Sequence, residues 1–133
     1  MNAMIFEKTF EEWLANSLNA CLPKEIKAFS FNLFEPAFNE GIKFGIELVG
    51  TGKFDENDQD WACDEIWEPI ERTLFIPESY STLEWEVCLV KMKTLIENVL
   101  KSNSDIAEKL EQKEAVGIGF VNGDLQLIYI RGS

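Results

Sequence analysis

Hydrophobic residues recur at helical spacing in three segments of the chain. A first helix is predicted over residues 10–21, where Thr9 and Glu12 fit a capping box in front of an apolar face. Ser81 and Glu84 fit a second capping box in front of the longest predicted helix, residues 82–101, and a short third helix is predicted over residues 105–113. Because each segment has one apolar face, we expect the helices to pack against a common core.

Elsewhere the apolar residues have a period of two, which is typical of strands with one buried face. Residues 27–33 and 42–48 alternate in this way, and residues 72–76 predict a further short strand. Residues 115–121 and 125–130 flank Asn122-Gly123, which predicts a hairpin because both residues tolerate positive φ. The sequence therefore predicts an α+β fold in the order αββ(β)ααββ, an antiparallel sheet of about five strands with helices packed on one face.

Length and composition indicate one folded domain. The chain has 133 residues, 46% of them hydrophobic, and we assign residues 1–133 to a single domain, with Arg131 to Ser133 as a possible tag remnant. The N-terminus lacks the basic and apolar regions of a secretory signal, and no apolar stretch reaches the length of about 18 residues that a membrane span needs. Three widely spaced cysteines are typical of reduced thiols. We therefore expect a cytoplasmic protein.

Charge and the absence of histidine narrow the possible functions. Lys and Arg number 12 against 24 Asp and Glu, so the net charge is −12 and the pI is near 4.4. Without His the chain has no Ser-His-Asp triad, no Cys-His pair and no His-ligated metal, and we expect no catalytic residue, cofactor or metal ion. The negative charge argues against binding to nucleic acid or to an anionic membrane. A basic protein is the partner that it favours.

Residues 53–71 concentrate this charge. They contain eight carboxylates and two tryptophans, Trp61 and Trp67, against one lysine. Carboxylates interleaved with aromatic side chains combine electrostatic attraction with rigid anchors, as in interfaces with basic proteins. The competing interpretation is a solvated loop whose tryptophans both pack inward. For the carboxylates this choice stays open, whereas for each tryptophan alone the inward position is favoured.

Two enzymatic interpretations of the same residues are weaker. A calcium loop starting at Asp55 would need Gly where Asp60 stands and Glu where Ile66 stands. Paired carboxylates for hydrolysis need one desolvated and one solvated acid, and nothing in the sequence marks such a pair. A small hydrolase that uses carboxylates or a bound cation nevertheless stays as an alternative.

Two motifs carry a resemblance to a known class of proteins. Trp61-Ala-Cys-Asp64-Glu65 follows a predicted β-hairpin, and Gly119-Phe-Val-Asn-Gly-Asp124 forms the closing hairpin. In a small acidic α+β domain without His, these features resemble the immunity proteins of bacterial toxin–immunity systems. The resemblance implies a stoichiometric inhibitor without catalytic residues, whose acidic surface covers the basic cleft of a cognate nuclease-like toxin or a neighbouring exosite.

We therefore predict a non-enzymatic inhibitor that binds a basic toxin domain. Another alternative is a generic binding or regulatory domain of unknown partner. Such a domain could form a homodimer through an exposed sheet edge. In the leading interpretation Trp61 is the aromatic anchor and acidic side chains supply the charge. The predicted partner-binding residues are Asp55, Glu56, Asp58, Asp60, Trp61, Asp64 and Glu65.

Overall fold

The fold is described from a computed structural model, which covers residues 3–37 and 40–132. Residues 1, 2, 38, 39 and 133 lie outside the described residues. Helices and strands combine in one α+β fold, which confirms the predicted class. In chain order the elements are α1 (Ala3–Leu18), β1 (Ala28–Phe34), β2 (Ile42–Thr51), the 3-10 helix η1 (Gln59–Cys63), β3 (Glu65–Trp67), β4 (Thr73–Pro77), α2 (Glu78–Ser81), α3 (Trp85–Lys101), α4 (Asp105–Glu111), β5 (Ala115–Phe120) and β6 (Gln126–Ile130).

The sheet is mixed and has six strands in the described part of the chain. β1 lies between β2, to which it is antiparallel, and β5, to which it is parallel, with Ala28 opposite Ala115. β6 pairs antiparallel with β5, and the short strands β3 and β4 both pair with the other edge of β2. The sheet was predicted to be antiparallel with about five strands; it has six, and the prediction is wrong for one pairing, because β1 and β5 are parallel. Residue periodicity does not reveal the direction of β5, because this strand returns to β1 only after three helices.

One face of the sheet carries the helices and the main hydrophobic core. Phe29, Phe31 and Leu33 of β1 are fully buried there. Each such side chain contributes about 1.5–3 kcal/mol through burial. Most helical residues of this core lie on the predicted apolar faces: Phe10, Trp13, Leu14, Leu18, Cys88, Met92, Leu95, Ile96, Val99 and Leu110. Phe6 of α1 and Tyr80 of α2 join them from outside the predicted helices.

Both predicted capping boxes are wrong, although the helices exist. α1 already begins at Ala3, and Thr9 lies inside it, where its hydroxyl donates to the carbonyl of Ile5 at 3.0 Å. Ser81 belongs to the single turn α2, and its hydroxyl donates to the carbonyl of Thr82 at 2.8 Å. Thr82 has a φ of 62° and separates α2 from α3. The two hydroxyls thus hydrogen-bond to backbone carbonyls within a helix or between helices and do not cap a helix. Ser and Thr side chains can bond to several nearby backbone groups, and residue spacing alone does not show which one they choose.

The β5–β6 hairpin is confirmed, but its turn differs from the predicted one. Five residues, 121–125, connect the strands, and neither Asn122 nor Gly123 is among the described residues with positive φ. The amide of Gly123 instead donates to the carbonyl of Phe120 at 2.9 Å. A Cβ at Gly119 would lie 2.7 Å from the carbonyl oxygen of Asp124, so only glycine allows the connection to fold back over β5.

On the opposite face of the sheet, small residues leave room for one large side chain. Ala28, Ala115 and Gly117 occupy neighbouring positions there, and Trp61 packs on them with 4% of its surface exposed. A Cβ at Gly117 would lie 3.2 Å from the indole. The ring of Phe54 stands edge-on to Trp61, with 5.3 Å between the ring centroids. The segment between β2 and β3 is therefore fastened across this face by its own tryptophan.

Replacing this tryptophan is expected to be costly. Trp61→Ala leaves a cavity on the sheet and should lower the free energy of unfolding by about 3–5 kcal/mol. Urea denaturation followed by circular dichroism measures this loss. Trp85→Ala is the matched control, because Trp85 is 52% exposed and should lose much less stability. Equal losses for the two variants would contradict the packing described above.

A buried thiol predicts how stability depends on alkaline pH. Cys88 is fully buried in α3, and burial raises the pKa of its thiol from 9.0 to about 12, although the charge of Lys91 partly opposes the shift. Because the folded state holds this proton more tightly than the unfolded state, its contribution to stability is full below pH 9 and falls as the pH approaches 12.

The free energy of unfolding should therefore fall above pH 9 more steeply in the natural chain than in Cys88→Ala. The extra slope is at most about 1.4 kcal/mol per pH unit for one group. At neutral pH the variant is less stable because it lacks a buried side chain, and the difference should narrow as the pH rises. A difference that stays constant across this range would contradict the assignment.

Candidate functional site

The residues between β2 and β3 form a loop of defined geometry, and we call residues 53–64 of it the acidic segment. The side chain of Asp55 accepts the amide of Asn57 at 2.9 Å, and that of Asp58 accepts the amide of Asp60 at 3.0 Å. Asp58 thereby caps η1. The amide of Gly52 donates to the carbonyl of Asp64 at 3.0 Å and closes the segment at its base. Hydrogen bonds at both ends and Trp61 in the middle thus fix its path.

Most carboxylates of the acidic segment face solvent without a cationic partner. Asp55, Glu56, Asp58 and Asp60 are exposed, and Asp64 is half-buried. Within residues 3–37 and 40–132, the ion pairs closer than 4.0 Å involve none of these five. No close ion pair within the described residues therefore offsets their mutual repulsion.

These carboxylates line a cleft of about 660 Å³, which we call the acidic cleft. Lys27 and Lys53 also line it, but Lys27 lies 3.9 Å from Glu114 and is partly neutralised by it. Negative charge therefore dominates the cleft. Its acidic lining residues are Asp55, Asp58, Asp60, Asp64 and Glu114.

Glu65 differs from the other predicted acids because it is paired. Arg72 donates from one terminal nitrogen to Glu65 at 2.8 Å, and its Nε donates to Glu47 at 3.0 Å. The second terminal nitrogen contacts Glu65 and Glu68. The hydrogen bonds that Arg72 donates to Glu65 and Glu47 raise its pKa further above the ordinary value, so this guanidinium stays charged. Glu65 thus offers a partner less free charge than the acids before it.

The contacts of Arg72 extend into the sheet. Glu47 accepts from the side-chain amide of Asn32 at 3.1 Å, and Asn32 in turn accepts from the hydroxyl of Ser30 at 2.8 Å. Ser30 is fully buried, and Asn32, Glu47 and Arg72 line a cleft of about 380 Å³. We call it the polar cleft. Gln59 of η1 bridges to the β5–β6 connection, where its side-chain oxygen accepts the amide of Leu125 at 3.0 Å.

Sequence reasoning did not identify these network residues. Ser30, Asn32 and Glu47 stand at the polar positions of alternating strands, where the sequence indicated only an exposed face. Three polar side chains on the same face of the sheet could have indicated a hydrogen-bonded network there. The sequence could not indicate that this network includes Arg72, because the contact of Arg72 with Glu47 depends on the pairing of β2 with β4.

The role predicted for Trp61 needs correction. Its indole is 4% exposed and packs inward, so a partner that docks on the surface meets the carboxylates and not this ring. Trp67 is half-buried and stands edge-on to Phe29 of the main core, with 6.1 Å between ring centroids. Both tryptophans thus follow the inward alternative. Trp61 matters to the site because it holds the acidic segment in place.

The site offers charge and shape more readily than acid–base chemistry. The acidic cleft brings several carboxylates together, as the hydrolase alternative requires. Asp64 is half-buried and the other acids of the cleft are exposed, so none of them is fully desolvated, as one member of a catalytic pair would need to be. In the described part of the chain no three His, Cys, Asp or Glu side chains are grouped to hold a metal ion.

The described helices include none that is long and apolar enough to cross a membrane.

Comparison with known proteins found no relative of this chain. No family model, no curated protein and no solved structure matches the chain.

Proposed function

We propose that this chain is a non-enzymatic binding domain that recognises a basic protein through its acidic segment. The observation that supports this is the set of unpaired carboxylates held on an ordered loop: Asp55, Glu56, Asp58, Asp60 and Asp64. Like charges held close together destabilise the free protein. Lys and Arg side chains of a partner would relieve that repulsion on binding.

The more specific form of the proposal is an immunity protein that neutralises a cognate, nuclease-like toxin in the bacterial cytoplasm. A preformed loop supports tight inhibition, because it loses little conformational entropy on binding. Clustered negative charge also speeds encounter with a basic protein. Spaced carboxylates would then stand where the phosphates of a nucleic acid bind, and the inhibitor would block the cleft of the toxin without chemistry.

Co-expression tests this specific form directly. The chain is produced together with the toxin domain encoded by the neighbouring gene, and survival of the cells and co-purification of the two proteins are recorded. We expect rescue and a one-to-one complex. Cells that die despite production of the folded chain, with no complex recovered, would overturn the inhibitor assignment.

Charge reversal should act mainly on the rate of association. In a variant with Glu56→Lys, Asp60→Lys and Asp64→Lys, electrostatic steering is lost, so association with the toxin domain should slow by about tenfold or more at low salt. Surface plasmon resonance at several salt concentrations measures this rate. Asp55 and Asp58 are left unchanged because their side chains hold the loop turns.

The matched control carries the same change in total charge at exposed positions on α1 and α4. Glu11→Lys, Glu12→Lys and Glu108→Lys should leave the association rate closer to that of the natural chain. Equal slowing in both variants would indicate a response to net charge alone. Unchanged association in the acidic-segment variant would show that the interface lies elsewhere.

A further inference from the structure

An aromatic cluster with one exposed ring lies at the end of the sheet where β1 and β5 finish. Trp85 at the start of α3 is 52% exposed and stands edge-on to Phe120, with 5.8 Å between ring centroids. Phe120 in turn stands edge-on to Phe44 at 5.4 Å. With Phe34 and the exposed Val121 they line a cleft of about 620 Å³, which we call the aromatic cleft. A half-exposed tryptophan in a concave apolar site is typical of binding hot spots.

The aromatic cleft is adjacent to the two clefts already described. It shares Phe120, Val121 and Gly123 with the polar cleft. The polar cleft shares Asp60 and Cys63 with the acidic cleft. The three clefts therefore adjoin one another, and the aromatic cleft lies at the end of the sheet, where α3 begins.

Their order follows the direction of β1. Lys27, just before β1, lines the acidic cleft, Asn32 lines the polar cleft, and Phe34 at the end of β1 lines the aromatic cleft. At about 3.3 Å per residue, these seven steps of strand correspond to about 23 Å. An extended segment of similar length would cover all three clefts.

We propose that the three clefts together bind one extended basic segment of the partner, with a large apolar side chain in the aromatic cleft. This inference rests on the proposed function and specifies the partner. Charge complementarity places the Lys and Arg residues of the segment over the acidic cleft. The geometry then places its apolar side chain about seven residues away. Trp85 supplies the aromatic contact that the buried Trp61 does not.

The polar cleft between the two ends suits the same occupant. Glu47, Glu65 and Glu68 surround the single guanidinium of Arg72, so negative charge exceeds positive charge there. An acidic segment would be repelled along most of this path. A second copy of this chain, with a net charge of −12, is also disfavoured as the occupant.

Short synthetic peptides test the inference without knowledge of the partner. The probe is a fluorescein-labelled peptide of about nine residues, Lys-Arg-Lys-Gly-Ser-Gly-Ser-Leu-Phe, together with the peptide of reversed order, because the chain direction is left open. One comparison peptide replaces Leu-Phe by Ala-Ala, and another replaces the basic residues by Gln. Fluorescence anisotropy with the full-length protein measures the affinity at about 50 and about 200 mM salt.

The better of the two full probes should bind about tenfold more tightly than either comparison peptide. Trp85→Ala should remove the advantage of Leu-Phe and leave the salt dependence unchanged. The variant with Glu56→Lys, Asp60→Lys and Asp64→Lys should instead flatten the salt dependence. Val90→Ala is the matched control, because Val90 is an exposed apolar residue of α3 that lines none of the three clefts.

Two outcomes would overturn the inference. Full and Ala-Ala probes that bind equally, with no effect of Trp85→Ala, would show that the aromatic cleft is not part of the interface. A natural chain that dimerises in analytical ultracentrifugation, and a Trp85→Ala variant that does not, would assign the cleft to self-association. The proposed function would survive the first outcome if the charge-reversed variant still associated more slowly with the toxin domain. It would fail together with the inference if the association rate were unchanged.

Discussion

The packing of Trp61 on the small-residue face of the sheet is the interaction on which the site depends. Ala28, Ala115 and Gly117 leave a shallow recess between β1 and β5, and the indole fills it. Burial of one large side chain thus offsets the repulsion among the carboxylates on either side of it. Without this contact, a loop with so many unpaired acids would have little apolar surface to hold it against the sheet.

The two faces of the sheet have different roles: one forms the main core, and the other carries the candidate site. The helices and the large apolar side chains of β1 and β2 form the main core on one face, and this core provides the stability. The other face carries small and polar residues, and the acidic segment and the β5–β6 connection lie across it. Polar side chains such as Ser30 and Asn32 are tolerated there because each has a hydrogen-bond partner.

The sequence predicts the elements of this fold better than their ends and contacts. Helices and strands followed from periods of 3.6 and two residues, because each element buries one face. The predicted N-caps are wrong because the hydroxyls of Thr9 and Ser81 donate to other carbonyls. Which carbonyl is within reach depends on where the helix begins, and the spacing of residues does not determine that. The parallel pairing of β1 with β5 and the contacts of Arg72 join distant parts of the chain, and no local pattern encodes them.

For the site, the sequence located the acidic residues but did not show that Trp61 packs on the sheet and holds them in place. The acidic run is visible in the sequence, whereas the inward turn of Trp61 depends on glycine and alanine in β1 and β5, far away along the chain. Trp85 has the spacing of the apolar face of the predicted long helix, which indicated a buried position, yet it is 52% exposed. Its contact with Phe120 at the end of β5 joins residues that only the fold brings near.

The central claim is that the acidic segment is ordered before any partner binds, and amide hydrogen exchange of the free protein tests it most directly. The amides of Gly52, Trp61 and Asp64 donate to carbonyls within or next to the segment at 3.0, 3.3 and 3.1 Å. The account predicts that these amides are protected from exchange well above the level of an unstructured loop. Exchange at the rate of an unfolded peptide, with β1 still protected, would contradict it.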